Sequence, residues 1–142
     1  MLSKITKLKN LAKNYRLLYV EDDDSIRKSM TEYLSKFFLE VVVATNGQEG
    51  LERYKEGVFE LILTDLSMPI MGGLEMLEII KTLYCEQLVI VTSAHSESEY
   101  RIGAIKVGVD GYILKPFDFE QLNNELLKIV EKIYIYEKTI KI

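Results

Sequence analysis

Apolar residues gather in five short runs, at 17–20, 41–44, 61–64, 88–92 and 112–114, each built mostly from Val, Ile and Leu without polar alternation. A strand covered on both faces reads this way, as in a parallel sheet. Between the runs the apolar period changes to that of a helix. Ile26, Met30, Leu34 and Phe37 recur at helical spacing, with a start expected at Asp24 or Ser25. Leu74, Leu77 and Ile80 follow Gly72-Gly73, and Leu122, Leu126, Ile129, Val130 and Ile133 follow Asp118. Weaker helical patterns lie at 47–55 and 98–107.

Strand followed by helix, five times over, requires crossover connections and a sheet with helices on both faces. The expected fold is therefore α/β, a doubly wound five-stranded parallel sheet, with the flavodoxin-like order 2-1-3-4-5 as leading candidate. In that order the ligand crevice lies at the carboxyl ends of strands 1 and 3, where the winding reverses. Residues 1–14 form a basic amphipathic extension with Leu2, Ile5, Leu8 and Leu11 at helical spacing, and 139–142 read as a tail or the start of a linker. The extension is expected either to pack on the domain as an extra helix or to serve as a docking or membrane-surface segment.

The unusual polar residues fall where that fold demands them. Strand 1 runs into Glu21-Asp22-Asp23-Asp24, strand 3 into Asp65, strand 4 into Ser93 and strand 5 into Lys115-Pro116. Two carboxylates about 4 Å apart repel by roughly 4 kcal/mol at an effective dielectric of 20, which raises their pKa values unless a cation intervenes. An oxygen-only ligand set with room for water suits Mg2+, and no histidine or cysteine cluster offers a zinc site. Lys115 adds a mobile point charge suited to a phosphoryl group.

Bulk properties narrow the class further. A chain of 142 residues, 48% hydrophobic and 28% charged, fits one globular domain with a real core. No apolar run approaches the roughly 18 residues that span a bilayer. The single cysteine, Cys85, precludes an internal disulfide and suits a reducing, cytoplasmic setting. Five basic residues and no acid occupy the first sixteen positions, so the net charge of −4 leaves the remainder at −9, against direct nucleic-acid contact by the body.

The strings Leu17-Leu18-Tyr19-Val20-Glu21-Asp22-Asp23, Leu63-Thr64-Asp65-Leu66-Ser67-Met68-Pro69 with Gly73, Ser93-Ala94, and Tyr112-Ile113-Leu114-Lys115-Pro116-Phe117 together resemble the receiver domain of two-component response regulators, which would span 15–138. The resemblance implies that Asp65 is the phosphoacceptor and Asp22 a direct metal ligand. It implies that Glu21 acts on the metal through water and that the Ser67 backbone carbonyl completes the protein's share of the shell. Lys115 would pair with phosphoryl oxygens. Ser93, 22 residues before Lys115, would be the switch hydroxyl, with Thr92 a rival, and Tyr112 the aromatic switch. Ser67 and His95 sit near positions that tune phosphate lifetime. The implied partners are a sensor histidine kinase or phosphotransfer protein and a downstream effector protein or domain, with no separate enzymatic turnover.

Each residue also has a plainer reading. An acidic run is commonly a solvated turn or helix cap, Ser93 a strand-end hydroxyl on its own backbone, Tyr112 ordinary core and Cys85 filler. Three other functions fit less well. A haloacid-dehalogenase-type phosphatase would use Asp22 and leave Asp65 idle. A pseudo-receiver would not need the full acidic set with Ser93 and Lys115, and a nucleotide-binding flavodoxin-like protein would place a glycine- or hydroxyl-rich loop after strand 1. Asn123, Asn124 and Glu125 occupy a face where dimerising transcription-factor receivers carry basic residues, so that dimer is expected to be absent or weak.

Overall fold

A computed structural model describes residues 3–94 and 98–140. The strands are β1 Arg16–Val20, β2 Glu40–Ala44, β3 Leu61–Asp65, β4 Leu88–Ser93 and β5 Gly111–Leu114. They form one parallel sheet in the order β2-β1-β3-β4-β5, the order expected from the sequence. The helices are α1 Lys4–Ala12, α2 Asp24–Leu34, α3 Gly47–Glu56, α4 Gly73–Leu83, α5 Ser98–Val107 and α6 Phe119–Ile140.

Alternation along the strands divides the core in two. Leu17, Tyr19, Leu61, Leu63, Ile90 and Ile113 face α1, α2 and α6, packing with Leu8, Met30, Leu34, Leu122, Leu126 and Ile129. Leu18, Val20, Ile62, Val89 and Val91 face the opposite way, against Leu51 of α3 and Met76, Leu77 and Ile80 of α4. The central strand β3 is buried along its whole length, which explains why its run carries no polar alternation.

Local signals set the helix starts. The side chain of Asp23, one position before the expected Asp24 or Ser25, caps α2 by accepting the Ile26 N–H at 2.9 Å. Asp118 Oδ1 accepts the Gln121 N–H at 2.8 Å while Gln121 Oε1 accepts the Asp118 N–H at 3.1 Å, a reciprocal cap at the head of α6. Two expectations about helix faces need correction. Ile26 is 41% exposed, because the stripe that meets the sheet begins a turn later at Met30. Asn123 points inward and accepts the Tyr33 hydroxyl at 2.7 Å, so it does not belong to an exposed face of α6. The basic extension is helical and packs on α6. Leu8 and Ala12 are fully buried in the core, and burying a leucine is worth roughly 1.5–3 kcal/mol.

Candidate functional site

The same alternation that sorts the core sorts the chemistry. Tyr19 and Glu21 follow Leu17 on one face, Asp65 follows Leu63, and Lys115 follows Ile113. Strands β1 and β3 are neighbours, with Val20 beside Thr64. Glu21 and Asp65 therefore leave adjacent strand ends on the same side, and Lys115 reaches them from β5. Asp22 comes with Glu21.

Glu21, Asp22 and Asp65 each bring a carboxylate oxygen within 4.8 Å of the others. Lys115 Nζ joins two of them, lying 3.1 Å from Glu21 Oε1 and 3.0 Å from Asp65 Oδ2. The Leu66 N–H donates to Asp65 Oδ1 at 2.8 Å and the Asp23 N–H to Glu21 Oε2 at 3.2 Å. Glu21 is 2% exposed and Asp65 7%, whereas Asp22 faces solvent. The acidic run after β1 thus divides. Its first two members join the cluster, Asp23 caps α2, and Asp24 pairs with Arg27.

Burial pushes the Glu21 carboxyl above its ordinary value; the Asp23 N–H and the Lys115 charge pull it back, and Asp65 pushes it up further. For Lys115, burial acts to lower the pKa, but the hydrogen bond and charge of Asp65 and the charge of Glu21 outweigh it and hold the ammonium above its ordinary range. Beneath the cluster, burial and the nearby charges of Glu21 and Asp65 raise the Tyr19 hydroxyl and keep it neutral. Tyr19 stands two residues before Glu21 and so on the same face of β1.

The donor set fits a hard divalent cation. Three carboxylates and one ammonium leave two negative charges in a half-buried, all-oxygen nest. A divalent ion would balance that charge, and oxygen donors with an open side toward solvent match Mg2+.

Ser93 and Tyr112 lie on the other face of the sheet. In the β4–β5 register Val91 stands beside Tyr112 and Ser93 beside Leu114, so the two residues are two register positions apart on the same side. Ser93 is fully buried and Tyr112 half-buried. Thr92, by contrast, is the register partner of Asp65. Ser67 is exposed in the loop after β3. His95 lies outside the described residues.

Two glycines allow the backbone of this rim to close. A Cβ on Gly73 would meet the Asp65 carbonyl oxygen at 2.3 Å, and one on Gly47 the Met71 carbonyl oxygen at 2.5 Å. The Gly73 N–H also donates to the Leu66 carbonyl at 2.8 Å. A cavity of about 690 Å³ opens at the opposite rim beside Tyr15, Glu60, Gln87 and Asp110 and includes none of the acidic cluster.

Comparison with known proteins bears on the same segments. The family model described as response regulator receiver domain matches residues 17–127. The transcriptional regulatory protein ZraR of Escherichia coli is 35% identical over 115 residues, covering 81% of this chain and 26% of that protein. DltR of Streptococcus agalactiae, also a transcriptional regulatory protein, is 33% identical over 107 residues, 75% of this chain and 48% of its own length. The chain thus spans about a quarter to a half of these curated relatives. Among solved structures, the N-terminal domain of an uncharacterized protein from Wolinella succinogenes is 37% identical with a TM-score of 0.79, covering 87% of this chain and 98% of that one. A CheY-like receiver domain from Methanospirillum hungatei is 28% identical with a TM-score of 0.73, covering 84% and 98%.

Proposed function

The chain belongs to the response regulator receiver domain family, and on that premise we propose that it is a phosphorylation switch in which Asp65 accepts a phosphoryl group from a phosphohistidine of a sensor kinase or phosphotransfer protein. The observation that carries this reading is the cluster at the C-terminal rim, three carboxylates within 4.8 Å of one another with Lys115 joining two of them.

In the proposed step an Asp65 carboxylate oxygen forms a bond to phosphorus as the P–N bond breaks. The electron pair leaves with the imidazole, which takes a proton from solvent. Asp22 and Asp65, with the Ser67 backbone carbonyl and Glu21 acting through water, would hold Mg2+, which supplies positive charge against the crowded carboxylates and the incoming phosphoryl oxygens. Lys115 already touches Asp65 and is placed to follow the phosphoryl charge once it arrives. Leu66 N–H fixes the Asp65 carboxylate orientation. Water attack on the acyl phosphate would reset the switch, releasing inorganic phosphate. Ser67 and His95 are the positions proposed to tune that lifetime.

The output is a population shift. Ser93 and Tyr112 share a face one strand or more away from Asp65, and we assign them the switch roles, the hydroxyl turning to the phosphoryl group and the ring turning inward. The signal would pass to an effector protein or domain, in the cytoplasm. No helix among the described residues is long and apolar enough to cross a membrane.

Phosphotransfer with Mg2+ tests the reading. Asp65→Asn is expected to abolish acyl-phosphate formation and Asp22→Ala to reduce it by two orders of magnitude or more, the latter with partial recovery at high Mg2+. Undiminished labelling of Asp65→Asn would refute the assignment.

A further inference from the structure

The ring of Tyr112 is held from outside by an arginine that the switch reading does not use. Arg101, on α5, places its guanidinium carbon 5.1 Å from the Tyr112 ring centroid. This is within the range at which a cation is drawn to an aromatic face. Both residues line a cleft of about 180 Å³ between α5 and β5, together with Ala104, Val109 and Gly111. Arg101 is exposed and forms no ion pair among the described residues. The nearest acid lining the cleft, Asp110, is committed to Lys132 and to the Val89 N–H.

Geometry gives this contact a consequence. Ser93 lies on the same face as Tyr112, two register positions toward the phosphoacceptor rim. A ring that turns toward Ser93 must leave the guanidinium. We infer that Arg101 is a latch, a positioning residue that holds the half-buried Tyr112 ring in its present position against the core and so raises the threshold for switching. The inference rests on the phosphorylation reading above. An exposed cation–π contact weights a conformer by about two- to fivefold, which sets the size of the bias. A carboxylate on a docking partner that paired with Arg101 would release the ring.

The test uses the full chain labelled with 3-fluorotyrosine, the Tyr112 signal being assigned by its loss in Tyr112→Phe. Arg101→Ala and Arg101→Lys are compared without phosphate donor and with Mg2+ and beryllofluoride, an acyl-phosphate mimic. The latch predicts that Arg101→Ala moves the resting Tyr112 signal toward its beryllofluoride position. It also predicts that about two- to fivefold less beryllofluoride reaches half-saturation, with Arg101→Lys in between. Both variants alter an exposed side chain, and an unchanged thermal midpoint serves as the control for folding. An unmoved signal and unchanged titration, in a wild-type chain that labels at Asp65, overturn the latch alone. Failure of the wild-type chain to form any acyl phosphate at Asp65 overturns the reading beneath it and the latch together.

Discussion

Burying the Glu21 carboxylate costs free energy that the Lys115 ammonium and the Asp23 N–H only partly offset, which is why its carboxyl titrates above the ordinary value. A raised carboxyl pKa means that the folded chain holds its proton more tightly than the unfolded one. Stability from this group is therefore greatest in acid and falls as pH climbs from the ordinary carboxylate value through the raised one. Glu21→Gln removes the charge and keeps the shape. It is expected to raise the metal-free thermal midpoint by a few degrees at neutral pH, with the gain vanishing at low pH. The stabilisation that Mg2+ gives the wild-type chain should be weaker in the variant. Calorimetry across pH with and without Mg2+ reads all three. At this level the sequence displayed the participants but not their division of labour. Four consecutive acids look equivalent on paper, and only the exit angle of β1 decides that Glu21 and Asp22 join the cluster while Asp23 caps α2.

The loop between β3 and α4 shows how an element's placement controls the site. Gly73 opens α4 so close to β3 that a Cβ there would sit 2.3 Å from the Asp65 carbonyl oxygen. Gly73→Ala must push α4 away from the strand end, at an overpacking cost of about 1–3 kcal/mol. A displacement of about 1 Å at a reacting carboxylate can cost 100-fold in rate. Gly73→Ala is thus expected to fold with a lowered midpoint and to form acyl phosphate at least tenfold more slowly, measured with a small phosphodonor and Mg2+. The glycine was visible in the sequence as part of a motif, but its reason, backbone against backbone, was not. Other misplacements have the same origin. Ile26 satisfied the helical period and still faces solvent, because period gives a stripe and not the turn at which that stripe meets the sheet. The basic extension had two readings, and Leu8 and Ala12 settle its place on α6, a contact more than a hundred residues apart in the chain. Arg101 over Tyr112 was equally hidden, since it depends on how α5 lies across β5.

Taken as a body, the molecule is two apolar layers separated by a sheet, with charge gathered at one rim. That much was readable from unalternating strands and from the polar residues that end them, because a parallel sheet gives its strand ends to one side. Residues 21, 22, 65 and 115 come together from three strands, and the two switch candidates come together on the opposite face. The residue that receives the phosphoryl group is the decisive observable. After incubation with a phosphodonor and Mg2+, borohydride reduction converts an aspartyl phosphate to homoserine, and peptide mass mapping then locates it. Conversion at position 65 alone, lost when Mg2+ is chelated, is the result expected. Conversion at Asp22, or none under conditions in which the chain is folded, would contradict it.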